Sequence, residues 1–184
     1  MKALLLAPAL MSMLACAPKT GRVQSEQTLD VALVATLEPL DDPQVLPIPA
    51  ELQEGLAALL QARNLHAVPM DEAQWMDAFS RGRTSRFRVE HVTSGTSAPL
   101  VLVVETFARY GSQLNGRYRW TVQVVASLAP GDAPQEAVQS EFSVPVFLEY
   151  HHQKEAEAVL SAAPVIERQV GHLVDQVLGG MAGP

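Results

Sequence analysis

Cysteine occurs once in the 184 residues, at position 16. Without a second thiol there is no intramolecular disulfide, so the fold has to stand on packing. Basic side chains are also scarce: 13 Lys and Arg face 20 Asp and Glu, a formal net charge of −7. Nucleic acid binding needs clustered cations against phosphate, and an anionic lipid surface attracts the same groups. The balance argues against nucleic acid as a partner and against broad contact with an anionic bilayer. No apolar run reaches the ~20 residues that a membrane-spanning helix needs; the run 3–15 is short and holds Pro8, which disfavours a continuous helix.

Catalytic frames are missing as well. The chain has no Gly-x-Ser-x-Gly elbow and no Gly-rich phosphate loop. His151 and His152 are adjacent, so they point apart on a helix or a strand, and no third ligand stands at a metal-binding spacing. Glu105 and Glu149 fall near the ends of expected strands, with nothing to pair them as general acid and base. The expectation is a non-enzymatic chain with no catalytic residue, no metal and no cofactor.

What is present begins at the N-terminus. Lys2 is followed by an apolar stretch that closes on Ala15, the plan of a secretory signal peptide over residues 1–15. Met13-Leu14-Ala15-Cys16 follows the order of a lipobox, with a small residue before the Cys and a bulkier Leu14 than is usual two before it. This segment resembles that of bacterial lipoproteins. The resemblance implies cleavage before Cys16 and acylation of its sulfur and new amino group, with two or more chains giving stable anchorage. Ala17 stands where Asp often marks inner-membrane retention, so the resemblance implies an outer-membrane, lipid-anchored protein facing the periplasm. Cleavage would leave 12 basic against 20 acidic side chains, a net of −8. Residues 16–28 then read as the lipidated Cys and a flexible tether, able to span roughly 40 Å when extended.

A single domain is expected over 29–180. Residues 29–39 are apolar through the middle and predict a strand buried on both faces. Three prolines make 40–49 an extended loop. Pro49 suits a first helical position, and Leu52, Leu56, Leu59 and Leu60 recur at helical spacing up to Arg63 and Asn64. Residues 65–69 predict a short strand. Residues 71–79 predict a short helix capped by Asp71, with Trp75 and Phe79 on one face as core. Strands 100–110 and 117–129 flank Asn115-Gly116, a hairpin signal. In the second strand Tyr118, Trp120, Val122, Val124 and Ala126 share one face, with Arg117, Arg119, Thr121 and Gln123 on the other. Residues 136–150 form the last strand, placed at an edge or bulged by Pro145. Helix 151–178 is expected to break at Pro164 and stop at Gly179-Gly180, its stripe of Ile166, Val170, Leu173 and Val177 packing on the sheet. The fold class is α+β: a two-layer sandwich of a mostly antiparallel four- to five-stranded sheet with two long helices on one face.

Residues 80–99 stand apart. Arg81, Arg83, Arg86 and Arg88 fall within eight residues and small polar residues follow. In an acidic chain this reads as a solvated loop outside the core, or as a contact for an acidic partner or an anionic glycolipid.

With the lipobox, the element order resembles two groups of outer-membrane lipoproteins. "RYRWTVQVVASLAPG", "QSEFSVPVFLEY" and the closing helix are similar to the lipopolysaccharide-assembly lipoprotein, the partner of an export barrel, apart from the long insert 80–99. "VALVATLEP", "LQEGLAALLQARNLHAVPMDEAQWMDAF" and "PLVLVVETFARYG" are similar to the group of the curli-secretion lipoprotein, the penicillin-binding-protein activators and the N-terminal domain of TolB, which carries a helix that residues 80–99 do not signal. Both resemblances imply an accessory or scaffold subunit that contacts a larger envelope protein or barrel. The alternative is a glycolipid- or peptidoglycan-binding module using the Arg-rich stretch. A pocket lined by apolar side chains would favour that module, and a broad flat surface without a pocket the accessory subunit.

Overall fold

The computed structural model describes residues 28–40, 44–79, 83–149 and 154–181. The chain is α+β, as expected. Its centre is β1 (Leu29–Glu38), buried on both faces from Val31 to Leu37. On one side β1 pairs in parallel with β4 (Leu100–Leu114), which continues antiparallel to β5 (Arg117–Pro130) and then β6 (Val138–Leu148). On the other side lie β2 (Leu46–Pro47), antiparallel at Thr36–Leu37, and β3 (Leu65–Pro69), parallel at Leu29–Leu33. The sheet thus has six strands, one more than expected, because the Pro-rich stretch after β1 contributes β2.

The hairpin between β4 and β5 turns on Asn115 and Gly116, both at positive φ (51° and 75°). Both residues tolerate this conformation, and it matches the twist of the flanking strands. The strands therefore run closer to the turn than periodicity suggested. Register shifts between Tyr110 and Ser112, so Gly111 sits in a bulge. Pro145 lies on β6, at the end of the sheet path, where a residue without an N–H does least harm.

One sheet face carries α1 (Ala50–Gln61) and α4 (Glu155–Met181). Leu52, Leu56 and Leu60 of the first and Ile166, Val170 and Leu173 of the second meet Val31, Leu33, Leu102 and Val124 in the larger core. Pro49 is the N-cap of α1, one place before the first helical position. The final helix differs from expectation at two points. It continues through Pro164, which lies on the exposed side, where water can take up the carbonyl that proline leaves unpaired. It also runs through Gly179 and Gly180 to Met181.

The other face is covered too, by a third, shorter layer. Asp71 caps α2 (Glu72–Trp75) by accepting from Ala73 N, and a 3-10 turn, Met76–Phe79, follows. Trp75 and Phe79 meet edge to face at 5.3 Å in a second core with Ala32, Val34, Val101 and Val103. The main correction falls beside them. Within residues 80–99, expected as a loop, lies α3 (Ser85–Ser94). Thr84 caps it by accepting from Phe87 N at 3.2 Å, and Val89 and Val92 enter the second core.

Candidate functional site

Of the residues singled out in the sequence, Cys16, Arg81, His151 and His152 lie outside the described residues. The other three arginines lie on or just before α3 and have different fates. Arg83, just before the helix, is exposed, with its guanidinium 4.7 Å from the Phe87 ring centroid. Arg86 is exposed and pairs with Glu90 one turn on at 2.9 Å, a contact that contributes little in water.

Arg88 is inside. Its side chain is 5% exposed and bonds Glu105, 2% exposed, at 2.6 Å. Its guanidinium lies 3.6 Å from Glu38 and 5.2 Å from the Phe79 ring centroid. The expectation that all four arginines lie on a surface loop is thus corrected for Arg88. Burial raises the pKa of Glu105, and the neighbouring Glu38 charge adds to that. The Arg88 charge and hydrogen bond and the Ser85 hydroxyl at 3.3 Å pull the other way. Among the described residues Arg88 Nε and Glu105 Oε1 have no hydrogen-bond partner. The cluster could hold a proton, but at 2% exposure Glu105 is closed to a substrate. Its visible consequence is to seat α3 on β4. Glu149 has no part in it, and among the described residues no group of three or more His, Cys, Asp or Glu could hold a metal ion.

Beyond Glu105 the third layer ends, and the same sheet face is open. Alternation puts Phe107 and Arg109 of β4 on it, with Arg117, Arg119, Thr121 and Gln123 of β5. Register sets Thr121 between Arg109 and Pro145, and Arg119 between Ser112 and Phe147. Arg109, Arg117 and Arg119 are exposed, as is Phe147 at 48%. Two carboxylates border them: Glu149, one residue past the end of β6, follows Leu148 toward Arg117, and Glu38, opposite Phe107, lines a cavity with Arg109. The three arginines make no ion pair among the described residues. Arg83 flanks this area, two residues before Ser85, whose hydroxyl reaches Glu105. Two cavities border the surface, one of about 180 Å³ beside Phe107 and Arg109 and one of about 340 Å³ lined by Phe147, Leu148 and Glu149.

Sequence reasoning placed Arg117 and Arg119 on the polar face of a strand but did not join them to the arginine stretch. Arg109 was missed altogether. The signal that could have found the group was the shared face of the Asn115-Gly116 hairpin, on which residues at i and i+2 of both strands meet.

No family model matches the chain and none of the curated proteins matches it. Solved structures are similar at low identity. The hypothetical protein CT253 from Chlamydia trachomatis is 14% identical, with 83% of this chain and 96% of that one covered and a TM-score of 0.48. Lipoprotein GNA1162 from Neisseria meningitidis is 16% identical, with 76% and 96% covered and a TM-score of 0.40. Protein XCC0632 from Xanthomonas campestris is 11% identical, with 84% and 89% covered and a TM-score of 0.46.

Proposed function

We propose that this chain is a lipid-anchored accessory subunit of the bacterial envelope, acting by contact rather than catalysis, and that it docks an acidic surface of a larger envelope protein on its open sheet face. The observation that carries the reading is the group of Arg109, Arg117 and Arg119, without an ion pair among the described residues, beside exposed Phe147 in a chain of net charge −7. Arg and aromatic side chains are the usual anchors of protein interfaces. The lipobox-like Met13–Cys16 supports anchorage, and Ala17 supports the outer membrane. A glycolipid would need room for acyl chains: the hollow beside Arg109, about 180 Å³, is small against the ~300–1,000 Å³ of ordinary ligand sites, whereas the one beside Phe147, about 340 Å³, reaches that range and keeps a glycolipid as the second reading.

The test is a photoreactive amino acid at Thr121, in the middle of the face, in cells that make the anchored protein. A discrete protein adduct is expected, lost when Arg109, Arg117 and Arg119 are all changed to Glu while the melting temperature holds. An adduct indifferent to the reversal, or none, refutes the docking face. An adduct to lipid alone would favour the glycolipid reading instead.

A further inference from the structure

A second surface, on the opposite side of the sheet and away from the arginines, has the makings of a peptide site. Strand β3 is the outermost strand on its side of β1; it pairs with β1 and with no other described strand. In a strand, alternate residues turn their N–H and C=O groups outward, so β3 keeps unpaired backbone groups along its outer edge. Helix α1 runs beside it. Between them lie two adjoining cavities of about 360 and 760 Å³, which share Glu54, Ala57 and Ala67.

The lining is specific in two respects. Its apolar part is built from small or flat side chains, chiefly Ala50, Ala57, Ala67 and Pro69, so the hollow exists because nothing large fills it. Its ionisable side chains are Glu54 and His66, and His66 is bonded to Asp30 at 3.0 Å. Glu54 is exposed on α1, makes no ion pair among the described residues and borders both cavities. A carboxylate beside small apolar pockets, next to a strand edge that no other described strand covers, combines the elements of strand addition. Main-chain bonds to the edge give affinity, and pockets for alternate side chains give selectivity.

We propose that the α1–β3 groove binds an extended peptide segment of a partner, added as a strand to β3. Five residues of β3 correspond to roughly 17 Å of strand, the length of a five- or six-residue ligand. Every second side chain of that ligand would be small and apolar, to enter the hollows lined by Ala57 and Ala67. A Lys or Arg would stand against Glu54. The site is independent of the basic face, which recognises the opposite charge.

Random decapeptides displayed on phage, selected on the full-length chain in detergent, test this. Enriched sequences should alternate small apolar residues and carry Lys or Arg. A synthetic peptide of the enriched sequence should slow hydrogen exchange of the amides of residues 65–68. Ala57→Phe, which puts a ring where the two cavities meet, should weaken it at least tenfold. Glu54→Lys should turn the preference toward acidic peptides; being an exposed change, it reads even if Ala57→Phe disturbs the fold. Reversal of Arg109, Arg117 and Arg119 should leave peptide binding unchanged, so the two surfaces stand or fall separately. No enrichment, enrichment of acidic peptides, binding that survives Ala57→Phe in a folded chain, or protection along β6 instead of β3 would overturn the proposal.

Discussion

Arg88→Met leaves an aliphatic side chain of similar length under α3 and removes the one cation from the buried cluster. Glu105 would then keep the Ser85 hydroxyl at 3.3 Å as its hydrogen-bond donor, with Glu38 as a like charge nearby. Breaking one side of a buried ion pair costs about 3–5 kcal/mol, because the charge left behind is out of water. A typical domain is stable by about 5–15 kcal/mol in all, so the loss is a large share. For a domain of this size each kcal/mol moves the melting temperature by about 2–4 °C, and the expected fall is roughly 6–20 °C.

The pH dependence separates this cause from lost packing. Burial already raises the pKa of Glu105, and removing Arg88 raises it further. Between the unfolded carboxyl value of about 4.3 and that raised value, the native state binds more protons than the unfolded one, so stability increases as pH falls. The Arg88→Met deficit should therefore shrink from pH 8 to pH 5. Adding Glu105→Gln should restore most of it at pH 7. Urea unfolding followed by tryptophan fluorescence gives these numbers, since Trp75 lies in the same core. A loss under 1 kcal/mol at pH 7, or a double variant no better than the single, would refute the reasoning.

Glu105→Gln alone should flatten the stability–pH curve just above pH 4.3, where the wild type loses stability as Glu105 ionises; urea midpoints at several pH values check it. Cys16→Ser should move the protein from the membrane to the soluble fraction, and undiminished membrane recovery would remove the lipid anchor from the proposed function.

Much of the fold was legible because its apolar periods are clean. Strand β1 is apolar through its middle, α1 repeats Leu52, Leu56 and Leu60, and Asn115-Gly116 dictates a two-residue turn. Helix α3 was hidden for a physical reason. Its buried positions, 88, 89, 92 and 93, make a proper helical stripe, but two of the four are Arg and Thr. Thr93 donates to Val89 O within the helix at 2.7 Å, while Arg88 donates to Glu105, 17 residues on and on another element. A polar residue whose partner lies on another element reads as surface until the fold is known. The Thr84 cap and Gly95 just past the helix end were the local signs available. Pro164 and Gly179-Gly180 misled in the opposite direction, because propensity is a weak prior against an apolar stripe with a core to pack on.

The open sheet face poses an energetic question of its own. A sheet with one wet face needs only a polar, mixed surface there, and Thr121, Gln123 and Ser143 would suffice. Arg109 and Arg119 instead sit on a cross-strand diagonal, and Arg119 and Arg117 are two apart on one strand. Like charges at ~7 Å repel by roughly 0.6 kcal/mol even at the dielectric constant of water. Among the described residues no ion pair of these arginines offsets this, although the chain has acidic residues to spare. Carboxylates from an acidic partner would convert that repulsion into attraction and desolvate Phe147 at the same step. Because the arginines are exposed, the attraction is open to screening, with a Debye length of ~10 Å at 0.1 M salt against ~3 Å at 1 M. Crosslinking from Thr121 should therefore fall steeply as salt is raised over that range, with the melting temperature little changed. A yield flat across the range would mean that the contact is made by Phe147 and its apolar neighbours alone, and that the arginines do not recognise the partner.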